Sequence, residues 1–183
     1  DSTGMLIKLL KETDKKIVAH YCKIGNNKQQ LQQLKAAQYI VKYCKEHYRD
    51  FEFVVTEMTF PSLSGVIHTL FLFSTAGLIL AQQNKEITAV ARGFSTLYDQ
   101  ARPGARKVLK SLYEHGTDRK IVQLFPLEGL EKHEVLKIIP EELRSYTWVC
   151  TKPLKNIPCA ACPSCLERQK AEKKLIDLSK III

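Results

Sequence analysis

Apolar residues along the chain gather in short blocks whose spacing switches between the two periods that separate helices from strands. Met5, Leu6, Leu9 and Leu10 fit one face of a helix over residues 3–10, with Asp1 or Ser2 as its cap. After a polar turn, residues 17–21 read as a buried strand, and Gly25-Asn26-Asn27 as a break. Leu31, Leu34, Ala37, Ile40, Val41 and Cys44 recur near the helical period and predict a long helix over 28–47. A strand over 51–56, a loop holding Pro61 and Gly65, and an apolar helix over 67–82 that must be largely surrounded by protein come next. The pattern continues as strand 87–91, polar loop 93–104, helix 106–115, strand 121–126, helix 132–139 and a closing helix over 167–178.

Strands separated by helices of this length predict an α/β fold with a mainly parallel sheet and helices on both faces. In such a fold the ligand crevice lies at the carboxyl ends of the strands, so loops 21–27, 56–65 and 92–104 should converge on it. A helix capped at the first residue, followed by a buried strand, looks like a sheet missing its first strand, and upstream residues are expected in the biological protein. The 183 residues suit one sizeable core, with residues 1–140 as the α/β unit and 141–183 as an appendage on the same core.

Lys and Arg number 28 against 19 Asp and Glu, a formal charge of +9 that favours anionic partners without choosing between nucleic acid and small ligands. The basic residues are scattered in pairs such as Arg106-Lys107 and Arg119-Lys120, with no aromatic interleaving for base stacking. No apolar run reaches membrane-spanning length, so the expectation is a soluble, cytoplasmic protein.

Chemistry concentrates in Cys150, Cys159, Cys162 and Cys165, which fall within sixteen residues. Four thiolates complete a tetrahedral zinc shell with no open position, which makes such a site structural. Pro158 and Pro163 stiffen the turns that aim the sulfurs inward. Disulfides, buried free thiols and an iron–sulfur cluster are the competing readings; Cys22 and Cys44 read as inert core thiols.

The run Ser145-Tyr146-Thr147-Trp148-Val149-Cys150, with Pro158-Cys159, Cys162, Cys165 and Arg168 after it, resembles the zinc loop of the 7-cyano-7-deazaguanine synthase family. That resemblance implies zinc over iron, an adenine nucleotide alpha hydrolase-like fold and a phosphate loop ending in Asp-Ser, matched here by Asp1 and Ser2 alone. It makes Asp1, Ser2 and Lys132 catalytic candidates, and Ser2, Tyr21 and Lys23 candidate contacts to ATP. Lys132 and Glu134 match a Lys-x-Glu helix start of the family, whereas Ile67-His68 stands where it carries Arg-Asn. The substrate loop also departs: Asp99 would meet the donor edge of a guanine-like base and Arg102 would pair with a carboxylate.

The resemblance further implies a homodimer in queuosine biosynthesis, using ATP, Mg²⁺, structural zinc and ammonia to turn 7-carboxy-7-deazaguanine into 7-cyano-7-deazaguanine. With only the tail of a phosphate loop, the chain as given is expected to bind ATP poorly. Two other readings stay open: a diverged relative that stops at the amide or activates another acid, and a non-catalytic zinc-stapled module for nucleic acid or protein.

Overall fold

The computed structural model describes residues 1–24, 28–59, 69–96 and 104–181. Helix α1 (Ser2–Glu12) leads into β1 (Val18–Ile24), followed by α2 (Lys28–His47), β2 (Glu52–Met58) and α3 (Thr69–Gln83). The second half runs β3 (Ala89–Ala91), α4 (Ala105–His115), β4 (Val122–Leu124), α5 (Lys132–Ile138), α6 (Glu141–Arg144) and α7 (Pro163–Ile181).

Both strand pairs are parallel, as alternating strands and crossover helices require, and an isolated antiparallel bridge joins Leu154 to Ile157. Strand β1 pairs with β2 from Val18 opposite Glu52 to Ile24 opposite Met58, and β3 with β4 from Ala89 opposite Val122 to Ala91 opposite Leu124. Among the described residues the pairs form two separate two-stranded sheets rather than one continuous sheet.

Among the described residues the core is also divided. One cluster joins Ile7 and Leu10 of α1, Ile40 and Cys44 of α2, Phe51, Leu136 of α5, Leu143 of α6 and Ala171 of α7. A smaller one joins Leu78 and Ala81 of α3 with Tyr113 of α4 and Ile121. Each fully buried Leu or Ile contributes about 1.5–3 kcal/mol, so the first cluster is the larger source of stability.

Several elements depart from their sequence expectations. Of the expected α1 stripe Met5, Leu6, Leu9 and Leu10, Leu10 is buried and Leu6 packs partly buried against the core, but the buried line runs through Gly4 and Ile7, because Gly4 gives closest approach. A Cβ there would lie 2.8 Å from Val135 Cγ1 on α5. Asp1 stands at the α1 N-cap position but makes no side-chain cap; its carboxylate goes to Lys132 instead. Strand β1 continues through Tyr21, Cys22 and Lys23, since parallel pairing with β2 gives their backbone groups partners. Helix α3 is apolar on every side, and among its described side chains Ser74, Ala76, Leu78 and Ala81 are buried while Phe73 and Ile79 are over 40% exposed. Helix α7 begins at Pro163, four residues ahead of the expected start. Proline fits the first helical turn, where its missing N–H has no intrahelical partner.

Candidate functional site

Two chain segments bring the cysteines together. Cys150 ends the extended stretch after α6, Cys159 and Cys162 flank a tight turn, and Cys165 lies in the first turn of α7. All four sulfurs lie within 4.8 Å of one another. A tetrahedron with Zn–S bonds of about 2.3 Å has edges of about 3.8 Å, and Cys150 Sγ sits 3.6 Å from Cys159 Sγ. A disulfide requires about 2.05 Å, and all four cysteines are free thiols.

The backbone is bent to serve this geometry. The N–H of Cys159 donates to Cys150 Sγ at 3.2 Å, and that of Cys162 to Cys159 Sγ at 3.3 Å. Lys155, Asn156 and Ala160 all take left-handed conformations, at φ of 46°, 69° and 57°. Hydrogen bonds from Thr151 pull the Cys162 thiol down to about 5, while burial and the Cys162 and Cys150 thiols push Cys165 up to about 12. Neighbouring thiolates oppose one another's ionisation, and a divalent cation at their centre removes that opposition. The donor set and its spacing fit zinc.

Next to this centre, Asp1 and Lys132 meet although 131 positions separate them: Lys132 Nζ donates to Asp1 Oδ1 at 2.5 Å. Glu167 Oε1 of α7 lies 3.9 Å from the same nitrogen, whose side chain is 14% exposed. Burial lowers the pKa of this ammonium, with Glu167 opposing the shift and Arg168 adding to it. A small cavity of about 40 Å³ is lined by Asp1, Ser2, Thr3, Lys132, Thr147 and Arg168, among others. That volume admits a water or one polar group of a ligand. A Cβ on Gly93 would lie 3.2 Å from both the Asp1 carbonyl carbon and the Ser2 nitrogen, so a residue without a side chain lets the segment after β3 approach the start of α1.

The sequence profile of the family described as "Queuosine biosynthesis protein QueC" matches residues 67–176, more than half of the chain. The chain belongs to this family. The match takes in the four cysteines, Lys132 and Arg168, and leaves Asp1, Ser2, Tyr21 and Lys23 outside it. As a QueC family member the chain is placed in queuosine biosynthesis, and among its described residues no helix is long and apolar enough to cross a membrane.

Of the residues singled out from sequence, Asp1, Ser2 and Lys132 are brought together. Tyr21 and Lys23 do not line their cavity; Lys23 pairs with Glu57 at 2.9 Å, directly across the β1–β2 register. Asp99, Arg102, Ile67 and His68 lie outside the described residues. Glu134 accepts the Glu131 N–H at 2.7 Å and closes the first turn of α5, which accounts for the Lys-x-Glu spacing. Burial raises the Cys44 thiol to about 11, as an inert core cysteine requires.

Sequence reasoning gave no role to Glu167, to Arg168 beyond its place in the motif, or to Arg92. Arg92 is 9% exposed at the end of β3 and donates to the Tyr113 hydroxyl at 2.6 Å. The signal for Glu167 and Arg168 was their position two and three residues after Cys165, within one helical turn.

Proposed function

We propose that this protein converts 7-carboxy-7-deazaguanine and ammonia into 7-cyano-7-deazaguanine at the expense of ATP. The observation that carries the reading is the meeting of Asp1, Ser2 and Lys132 in one cavity, whose lining includes Trp148 packed against the cysteine cluster, in a QueC family chain. A carboxylate is a poor electrophile until one of its oxygens becomes a leaving group, and ATP supplies that activation. Ammonia then displaces the activated oxygen to give an amide, and a second activation removes the remaining oxygen to leave the nitrile.

Lys132 is suited to stabilise the negative charge that develops on the transferred phosphorus group, because its ammonium is held in place by Asp1 before any ligand arrives. Ser2 would donate to a phosphate oxygen, and Asp1 would orient Mg²⁺ or the loop. Tyr21 beside the base, Lys23 at phosphate, and Asp99 and Arg102 at the deazaguanine acid complete the proposal from sequence. Zinc, held by Cys150, Cys159, Cys162 and Cys165, would brace the site without touching the acid, since four thiolates leave no open position. Two copies would pair, with the exposed Phe73 and Ile79 of α3 available for cover.

The test is mass analysis of the products that the full-length protein forms with ATP, Mg²⁺, ammonia and the acid. Nitrile supports the reading, and accumulation of amide moves it to the diverged relative. Absence of any ATP-dependent product, together with tight, salt-sensitive RNA binding, replaces it with the non-catalytic module.

A further inference from the structure

Arg168 commits three of its five N–H donors inside the protein. Its Nε–H donates to Glu172 Oε1 at 2.5 Å, Nη1 to Thr147 Oγ1 at 2.6 Å and Nη2 to the Arg144 carbonyl at 2.9 Å. The side chain is 12% exposed. Glu172 lies on α7 itself, whereas Arg144 and Thr147 belong to the segment that leads to Cys150. The guanidinium therefore joins the two segments that carry opposite parts of the cysteine set: Cys150 on one, Cys162 and Cys165 on the other.

The same turn of α7 reaches the other half of the site. Glu167 Oε1 lies 3.9 Å from Lys132 Nζ, and Arg168 lines the cavity with Asp1, Ser2 and Lys132. Cys165 and Arg168 are one helical turn apart, so a metal that fixes Cys165 also fixes the direction in which Glu167 and Arg168 leave the helix. Trp148 Nε1 donates to the Cys150 carbonyl at 3.0 Å and steadies the opposite segment.

We infer that Arg168 is a positioning residue that relays the closed geometry of the metal centre to Lys132 and Asp1. The metal then sets the placement of the lysine as well as the stability of the loop. This rests on the reading of the Asp1–Lys132 cavity as part of the active site, but its test needs no turnover. The planar fork matters: a lysine at 168 keeps the charge and can reach only part of the three-way contact.

The experiment follows amine labelling of Lys132 by a water-soluble succinimidyl ester, peptide by peptide, with cobalt substituted for zinc as an optical reporter of the thiolate shell. Arg168→Ala should retain one metal per chain, the cobalt–thiolate absorption and the labelling rate of the remote Lys45. It should raise the Lys132 rate about tenfold, with Arg168→Lys in between. Stripping the metal from the unaltered protein should also accelerate Lys132. An unchanged Lys132 rate in Arg168→Ala and in metal-stripped protein overturns the inference. So does loss of the cobalt band in Arg168→Ala with Lys132 and Lys45 accelerating together, since Arg168 would then merely hold the fold. Failure to form nitrile would remove the proposed reaction and leave these labelling results intact.

Discussion

Cys150, Cys162 and Cys165 are as buried as Cys22 and Cys44, and what sets them apart is that with Cys159 their sulfurs lie within 4.8 Å of one another. Cys162→Ser should therefore lose the metal and lower the melting temperature by roughly 10 °C, while Cys44→Ser keeps one zinc per chain. Equal zinc content in the two variants would refute the assignment. Ala160 offers a contrasting case, at φ 57° in the turn between Cys159 and Cys162. A left-handed non-glycine residue costs about 1–2 kcal/mol, and glycine costs about 0.5–1 kcal/mol in chain entropy. Ala160→Gly should thus raise stability by about 0.5–1 kcal/mol, read from denaturant unfolding of the zinc-loaded protein. The cysteines were legible from sequence because their ligand spacing is local. The Asp1–Lys132 pair spans almost the whole domain, and only resemblance to a family, not periodicity, put both residues in one site.

Helix α2 was legible to both its ends, since a long amphipathic pattern bounded by a Gly-Asn-Asn break leaves little ambiguity. Helix α7 starts four residues ahead of its sequence expectation because Pro163, which suits a metal turn, equally suits the first turn of a helix. The short α6 went unrecognised, having too few residues to show a period. The contact between α1 and α5 yields a prediction with two opposing terms. Alanine at Gly4 gains about 1 kcal/mol of helix propensity, but its Cβ would lie 2.8 Å from Val135 Cγ1 and 3.2 Å from the Val135 carbonyl. Overpacking costs about 1–3 kcal/mol, and a β-branched side chain and a helix backbone yield little. Gly4→Ala should destabilise by about 1 kcal/mol net, and a midpoint shifted toward higher denaturant would show that α1 can move away from α5.

For the whole molecule, the parallel α/β architecture was legible from the alternation of elements, and the division of the described strands into two separate sheets was not. Strand order depends on contacts across the chain, which periodicity does not encode. In the proposed reaction ATP activates the carboxylate of a deazaguanine acid beside Lys132. Removing the ammonium in Lys132→Met should lower turnover about a hundredfold while the zinc content stays at one per chain. The most direct measurement starts from acid carrying ¹⁸O in both carboxylate positions, incubated with ATP, Mg²⁺ and ammonia. The account predicts that each oxygen lost on the way to the nitrile leaves on a phosphorus-containing product of ATP, seen as a two-mass-unit shift in that product. Nitrile formation with unlabelled ATP products, or consumption of the acid without ATP cleavage, would contradict it.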